Sequence, residues 1–192
     1  MARWVLIILV FFGSAASSAT ISYQPTTSGA AIIEINGDIH AGDETTFKKV
    51  AAQFDSAYVD LSSNGGALSP ALEIGTVVHS RGFGTGVVTG NQSTSSCALI
   101  WAAGTTRFLT KGGRVGFQAS YVKDDDKVIE NRIGNALVVR YLTQLGLSEK
   151  SIMFASASRP PAIAWIEKHE DREASGFAFI WSTLLDVQAK PK

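Results

Sequence analysis

The sequence predicts an α/β domain built on a largely parallel sheet. Apolar runs of strand length alternate with stretches of helical periodicity, glycine-bearing polar loops separate them, and no repeat of about 20–50 residues points to a solenoid or propeller. The chain has 192 residues, 45% of them hydrophobic, which suits one domain with a substantial core and excludes a disordered segment. Seventeen Lys and Arg balance 17 Asp and Glu, so the charge gives no footprint for a nucleic-acid partner. A single cysteine can form neither an internal disulfide nor a Cys-rich zinc site.

Residues 1–19 read as a cleavable signal peptide. Arg3 supplies a positive start, residues 4–12 are apolar, and the small residues 13–19 place Ser17 and Ala19 at the −3 and −1 positions for cleavage near Ala19. Nine apolar residues fall well short of the roughly 20 that a bilayer core requires, so no membrane association is expected after cleavage. The expected location is periplasmic or secreted. Residues 20–30 read as a polar lead-in, and residues 31–192 as the domain.

Within that domain, residues 31–35 read as a buried strand closed by the turn Asn36-Gly37-Asp38. Phe47, Val50, Ala51 and Phe54 recur on one helical face, with Asp43 and Glu44 at its electropositive start. Residues 57–61 form the next strand. Ser69-Pro70 has the pattern of an N-cap followed by Pro at the first helical position, predicting a helix from about residue 70 to 80 that stops at Gly82.

A third strand over 84–89 leads into a polar loop over 90–96. Residues 97–103 then read as a helix that is apolar all round, and therefore buried, ending at Gly104. Short strands over 107–109 and 115–117 flank the Lys111-Gly112-Gly113 turn. Residues 121–127, with Asp124, Asp125 and Asp126, read as a solvated loop. A long helix over 128–145 stops at Gly146, a shorter one follows over 149–155, and Arg159-Pro160-Pro161 breaks the chain. Residues 163–173 read as a final helix and 177–181 as a last strand.

Two loops have the residue types for chemistry. In Asn64-Gly65-Gly66, adjacent glycines let backbone N–H groups approach a carbonyl or an anion, although a tight turn uses glycine equally well. In Gln92-Ser93-Thr94-Ser95-Ser96-Cys97, a hydroxyl at the start of the buried helix would lie beside its N-terminal N–H groups, although serines there also serve as caps.

The succession Ile35-Asn36-Gly37-Asp38-Ile39, Ser62-Ser63-Asn64-Gly65-Gly66, Ser95-Ser96-Cys97 through Gly104, and Gly113 through Gln118 resembles the Clp protease proteolytic subunit and its exported relatives in the ClpP/crotonase superfamily. The similarity runs over roughly residues 31–177 and rests on the order and spacing of the motifs. It implies a spiral of strand–strand–helix units, a nucleophile at Ser95, and an oxyanion hole from Gly65, Gly66 and Ser96. It also implies a histidine where this chain has Gln118, and an aspartate near Ala162, in a stretch without carboxylates.

Two of three triad members are thus missing at their expected positions, and Glu170 and Asp171 fall further on, inside the expected final helix. None of His40, His79 and His169 falls at the family's histidine position. Lys111 would give a serine–lysine dyad but lies in a turn on the wrong side, and Cys97 reads as a buried, inert thiol. No cofactor is expected, and no metal, because the histidines are widely separated.

Two functional readings follow: a catalytically impaired, exported ClpP-like protein that binds or assembles, and an active serine hydrolase or peptidase using Ser95 with an unusual base. The glutamate pattern of an acyl-CoA enzyme is not apparent. A homo-oligomer is expected through residues 128–145, whose Ala136-Leu137-Val138-Val139 run exceeds one core-facing stripe, and a peptide or protein ligand is the expected partner.

Overall fold

The computed structural model describes residues 18–27, 29–124 and 127–183. Residues 1–17 of the leader expected over 1–19, and the acidic residues Asp125 and Asp126, lie outside them. In chain order the elements are β1 (Thr20–Pro25), β2 (Ala31–Asn36), α1 (Asp43–Ala51), β3 (Ala57–Ser62), α2 (Leu68–Ser80), β4 (Gly84–Val87), β5 (Gln92–Thr94) and α3 (Ser96–Ala103). They continue with β6 (Arg107–Thr110), β7 (Arg114–Phe117), β8 (Tyr121–Asp124), β9 (Lys127–Glu130), α4 (Arg132–Gln144), α5 (Glu149–Ala157), β10 (Ala164–Ile166), α6 (Asp171–Ser175) and β11 (Ile180–Ser182).

The main sheet has the order β1-β2-β3-β4-β6-β11, and every pairing except β1 with β2 is parallel. This is the mixed α/β domain with a mostly parallel sheet that the alternating pattern predicts. A second sheet, β10-β7-β5, stands beside it, with β5 parallel and β10 antiparallel to β7. A single bridge Ser63↔Ser93 links the end of β3 to β5 of the second sheet, and another, Ile39↔Gly66, joins the segments that follow β2 and β3.

The core lies between the sheets and helices. All eight residues of α3 are buried, and Trp101 at its heart packs within 6.5 Å, centroid to centroid, of Phe117, Phe177 and Phe179. Its indole N–H donates to Phe108 O at 3.0 Å, so the one polar atom of that ring is satisfied. Each such side chain contributes about 1.5–3 kcal/mol through burial, which fixes the start of α3 relative to both sheets.

Six local expectations change. Helix α2 begins two residues earlier than the Ser69-Pro70 pattern implies, with Ala67 at the N-cap, because Ala67 N–H donates to Ile39 O at 2.8 Å and the docked glycine loop starts the turn. The loop over 90–96 contains strand β5. Tyr121–Asp124 and Lys127, expected in a solvated loop, belong instead to the antiparallel strand pair β8–β9. Helix α4 consequently starts at Arg132, where the Asn131 side chain accepts from Gly134 N at 2.9 Å, and not at residue 128.

The expected helix over 163–173 is strand β10 plus the short α6. Gly116 lets the Ile163 and Trp165 side chains lie against β7, and Asp171 accepts from the N–H groups of Glu167 and Lys168 at 2.8 and 3.1 Å, turning the chain between them. The lead-in over 20–30 carries β1, an edge strand with five of its six residues exposed.

Candidate functional site

Ser95 sits where β5 turns sharply into α3. It has φ 53° and ψ −123°, a conformation that side chains avoid, and it is the one non-glycine residue of positive φ among the described residues. Such a residue costs on the order of 1–3 kcal/mol and persists only where its surroundings over-determine it. Here they do: Ser95 N–H donates to Gly116 O at 2.9 Å, and Ser95 O accepts from Ala98 N at 3.1 Å. A serine between a strand and a helix in this posture presents its hydroxyl at the surface, as a nucleophile elbow does.

The glycine loop is stitched to the same turn. Ser63 N–H donates to Gln92 O at 2.8 Å and Thr94 N–H donates to Ser63 O at 3.0 Å. Gly65, at φ +107°, leaves no room for a side chain, since a Cβ there would stand 2.8 Å from Ser95 Cβ. Gly66, at φ +128°, would drive a Cβ to 2.2 Å from Ile39 O. These two positions require glycine for close approach and for backbone conformation at once.

The three expected oxyanion donors differ. Gly65 N–H is taken by Ser63 Oγ at 3.1 Å. The N–H groups of Gly66 and Ser96 donate to no protein group among the described residues, and Ser96 Oγ ties the two segments together by donating to Gly66 O at 3.2 Å. Ser96 is also the first residue of α3, whose dipole adds positive potential there. Of the three, Gly66 and Ser96 are the ones whose N–H groups are left without a protein acceptor among the described residues.

Ser95, Gly66 and Ser96 open onto a cleft of about 420 Å³ whose wall includes Gln118. Among the described residues, neither the Ser95 hydroxyl nor the Gln118 side-chain amide hydrogen-bonds to another protein group. Asn64, Ser120, Tyr121 and Asn131 supply further polar lining, and Leu68, Leu99, Val122 and Val138 the apolar part. No His, Lys, Arg, Asp or Glu stands among the described residues of that wall.

The remaining candidates lie elsewhere. Ala162 is exposed in a turn, its N–H donating to Arg159 O at 2.9 Å, and it does not reach the cleft. His40 holds Asp38 O at 2.8 Å, His79 reaches Ala103 O at the far end of α3, and His169 lies against Arg172 on the surface. Lys111 sits in the β6–β7 turn with its N–H on Ser182 O. Cys97 is fully buried, and burial pushes its thiol up to about 11, against the Ser93 hydroxyl that donates to its Sγ at 3.1 Å. Among the described residues, no group of three His, Cys, Asp or Glu has the arrangement for a metal ion.

Sequence reasoning missed Asn64 as a lining side chain, along with Ser120, Tyr121 and Asn131. Asn64 belongs to a motif already singled out. It accepts from Gln92 Nε2, and Gln92 Oε1 in turn receives Arg114 at 2.9 and 2.6 Å. The Arg114 guanidinium lies 4.4 Å from the centre of the Trp165 ring, so this chain of side chains braces the glycine loop from β7 and β10. The other three depend on the β8–β9 hairpin, which the sequence pattern does not reveal.

The strained serine at a strand–helix turn, facing a glycine loop across two stitched sheets, defines a class of α/β domain. Comparison with solved structures shows which. The chain is similar to the 1510-N membrane-bound stomatin-specific protease, solved as a serine-to-alanine variant, with a TM-score of 0.64 and 11% identity over 82% of this chain and 79% of that one. A lysine-to-alanine variant of the same protease, in complex with a substrate peptide, gives a TM-score of 0.62 at 12% identity, covering 82% and 75%. ClpP1 from Listeria monocytogenes gives 0.57 at 14% identity, covering 81% and 92%. No protein-family model matches the sequence, and no curated protein matches it. The chain has the ClpP-like fold.

Proposed function

We propose that this protein is exported, loses a leader ending near residue 19, and works as a homo-oligomeric binding or assembly protein with a catalytically impaired ClpP-like site. The observation that carries this reading is the composition of the cleft. Ser95 shares the cleft with Gln118, and the described wall offers only Tyr121 as a titratable group. A serine hydroxyl needs a base to become a nucleophile, and loss of the triad base lowers rates on the order of 10⁴–10⁶-fold even where an oxyanion hole remains.

The cleft suits an extended, neutral peptide segment. Amides and hydroxyls at Asn64, Gln118, Ser120, Tyr121 and Asn131 match main-chain donors and acceptors, while Leu99, Val122 and Val138 suit apolar side chains. The peptide-bound neighbour of the same fold supports that ligand class. One observation favours the second reading, an active serine hydrolase with an unusual base: the costly conformation of Ser95 is kept beside two N–H groups that have no protein acceptor among the described residues.

Fluorophosphonate labelling of the purified mature protein, beside Ser95→Ala, separates the two. The expected result is no labelling in a sample whose circular dichroism shows it folded, and no Ser95-dependent hydrolysis of casein or a simple ester. Labelling that disappears in Ser95→Ala would overturn the impaired reading and establish the hydrolase.

A further inference from the structure

Asp43 is a buried carboxylate outside the cleft. It opens α1 at 4% exposure, and its Oδ2 accepts two backbone N–H groups, from His40 at 2.8 Å and from Ala19 at 3.2 Å. None of the ion pairs among the described residues includes it. The His40 ring is turned away, with Nδ1 on Asp38 O. A carboxylate removed from water is costly without a counter-charge, and the helix start offers only a partial one.

Ala19 is seated at this carboxylate. It is 9% exposed, its backbone packs beside Gly37, and Thr20 after it begins the pairing of β1 with β2. Ser18 before it is exposed. The small-residue stretch satisfies the −3 and −1 requirement in several registers, the last two of them Ser17 with Ala19, and Ala16 with Ser18. The first removes Ala19 and takes one donor from Asp43. The second leaves Ala19 as the new terminus with its nitrogen already in place.

We infer that processing cuts the Ser18–Ala19 bond and that the α-ammonium group of Ala19 so released forms an ion pair with Asp43. The step is a hydrolysis by the signal peptidase of the exporting cell: water adds across the peptide bond, leaving a carboxylate on Ser18 and an ammonium group on Ala19. The amide donor at 3.2 Å becomes a full positive charge against a buried carboxylate, and maturation locks β1 onto α1. This inference rests on the export reading.

The test has two arms. The full chain is expressed in an exporting bacterium, and the mature protein is analysed by intact mass and N-terminal sequencing. A start at Ala19 is expected; a start at Thr20 or any other position overturns the inference while leaving export standing, and retention of Met1 overturns both. In the second arm, chains beginning at Ser18, Ala19 and Thr20 are released from a cleavable fusion, each with Asp43 and with Asp43→Asn. The Ala19 form is expected to melt several degrees above the other two, and Asp43→Asn to abolish that advantage. Equal melting of the Ser18 and Ala19 forms would mean that the ammonium group does not pair with Asp43.

Discussion

At the scale of the residue, burial decides what each ionisable group can do. Asp60 on β3 lies beside Glu34 on β2, and burial first, then the Glu34 charge, pushes its carboxyl from 3.8 up to about 6, against the Leu61 N–H that donates to it at 3.1 Å. The folded chain therefore holds this proton more tightly than the unfolded one. The Asp60 contribution to stability is fully present below its unfolded value and is lost as pH rises through about 6. Asp60→Asn keeps the acceptor for Leu61 and removes the charge, so the variant should gain on the order of 1–3 kcal/mol over wild type near neutrality and nothing near pH 4. Thermal melts of both proteins between those limits check it, and parallel curves would contradict it. The resemblance singles out Ser95 and Gln118, and both line one cleft. The Ser95 conformation was not legible in the sequence, because it depends on Gly116 and Gly65, which are distant in sequence.

At the scale of the element, close packing sets which substitutions the helices tolerate. Gly75 of α2 would bring a Cβ to 1.9 Å from Tyr141 Oη, and that hydroxyl joins α4 to α3 by donating to Leu99 O at 3.2 Å. Alanine ordinarily stabilises a helix by about 1 kcal/mol relative to glycine. Here the displacement of Tyr141 outweighs it, and Gly75→Ala should destabilise by about 1–3 kcal/mol. Tyr141→Phe removes the oxygen that the new methyl meets, so the double variant should lose less than the sum of the two single losses. Urea unfolding of the four proteins measures the coupling, and strict additivity would show that the two sites do not touch. The same dependence on distant partners explains which elements could be read. Helices α1 and α3 and strands β2 and β3 declared themselves through continuous apolar patterns. Strand β5, Gln-Ser-Thr, is polar and exists through its pairing with β7, while Val128 and Ile129 fit a helix or a strand equally and are drawn into β9 by Tyr121 to Asp124.

At the scale of the whole molecule, α4 is apolar on two sides. Val138, Tyr141 and Leu142 face the core, while Ile133 is 77% exposed and Leu137 and Val139 remain substantially open. Met153 of α5, at 63%, and Val122 and Ile129 of the β8–β9 hairpin add to the open apolar surface. A face of this composition favours association, and a second copy of the chain is its proposed occupant. Sedimentation at micromolar concentration should show an oligomer, and Ile133→Glu should shift it toward monomer without loss of helix content, because Ile133 contributes nothing to the monomer core. A monomeric wild type would contradict the assembly, and an unchanged Ile133→Glu oligomer would place its interface elsewhere. The hairpin ties this outcome to the cleft, since Tyr121 and Val122 form part of its wall and lead through β9 into α4. Dissociation should therefore weaken peptide binding as well, although Ile133 does not line the cleft. An oligomer that falls apart with undiminished peptide affinity would mean that each subunit carries a complete site.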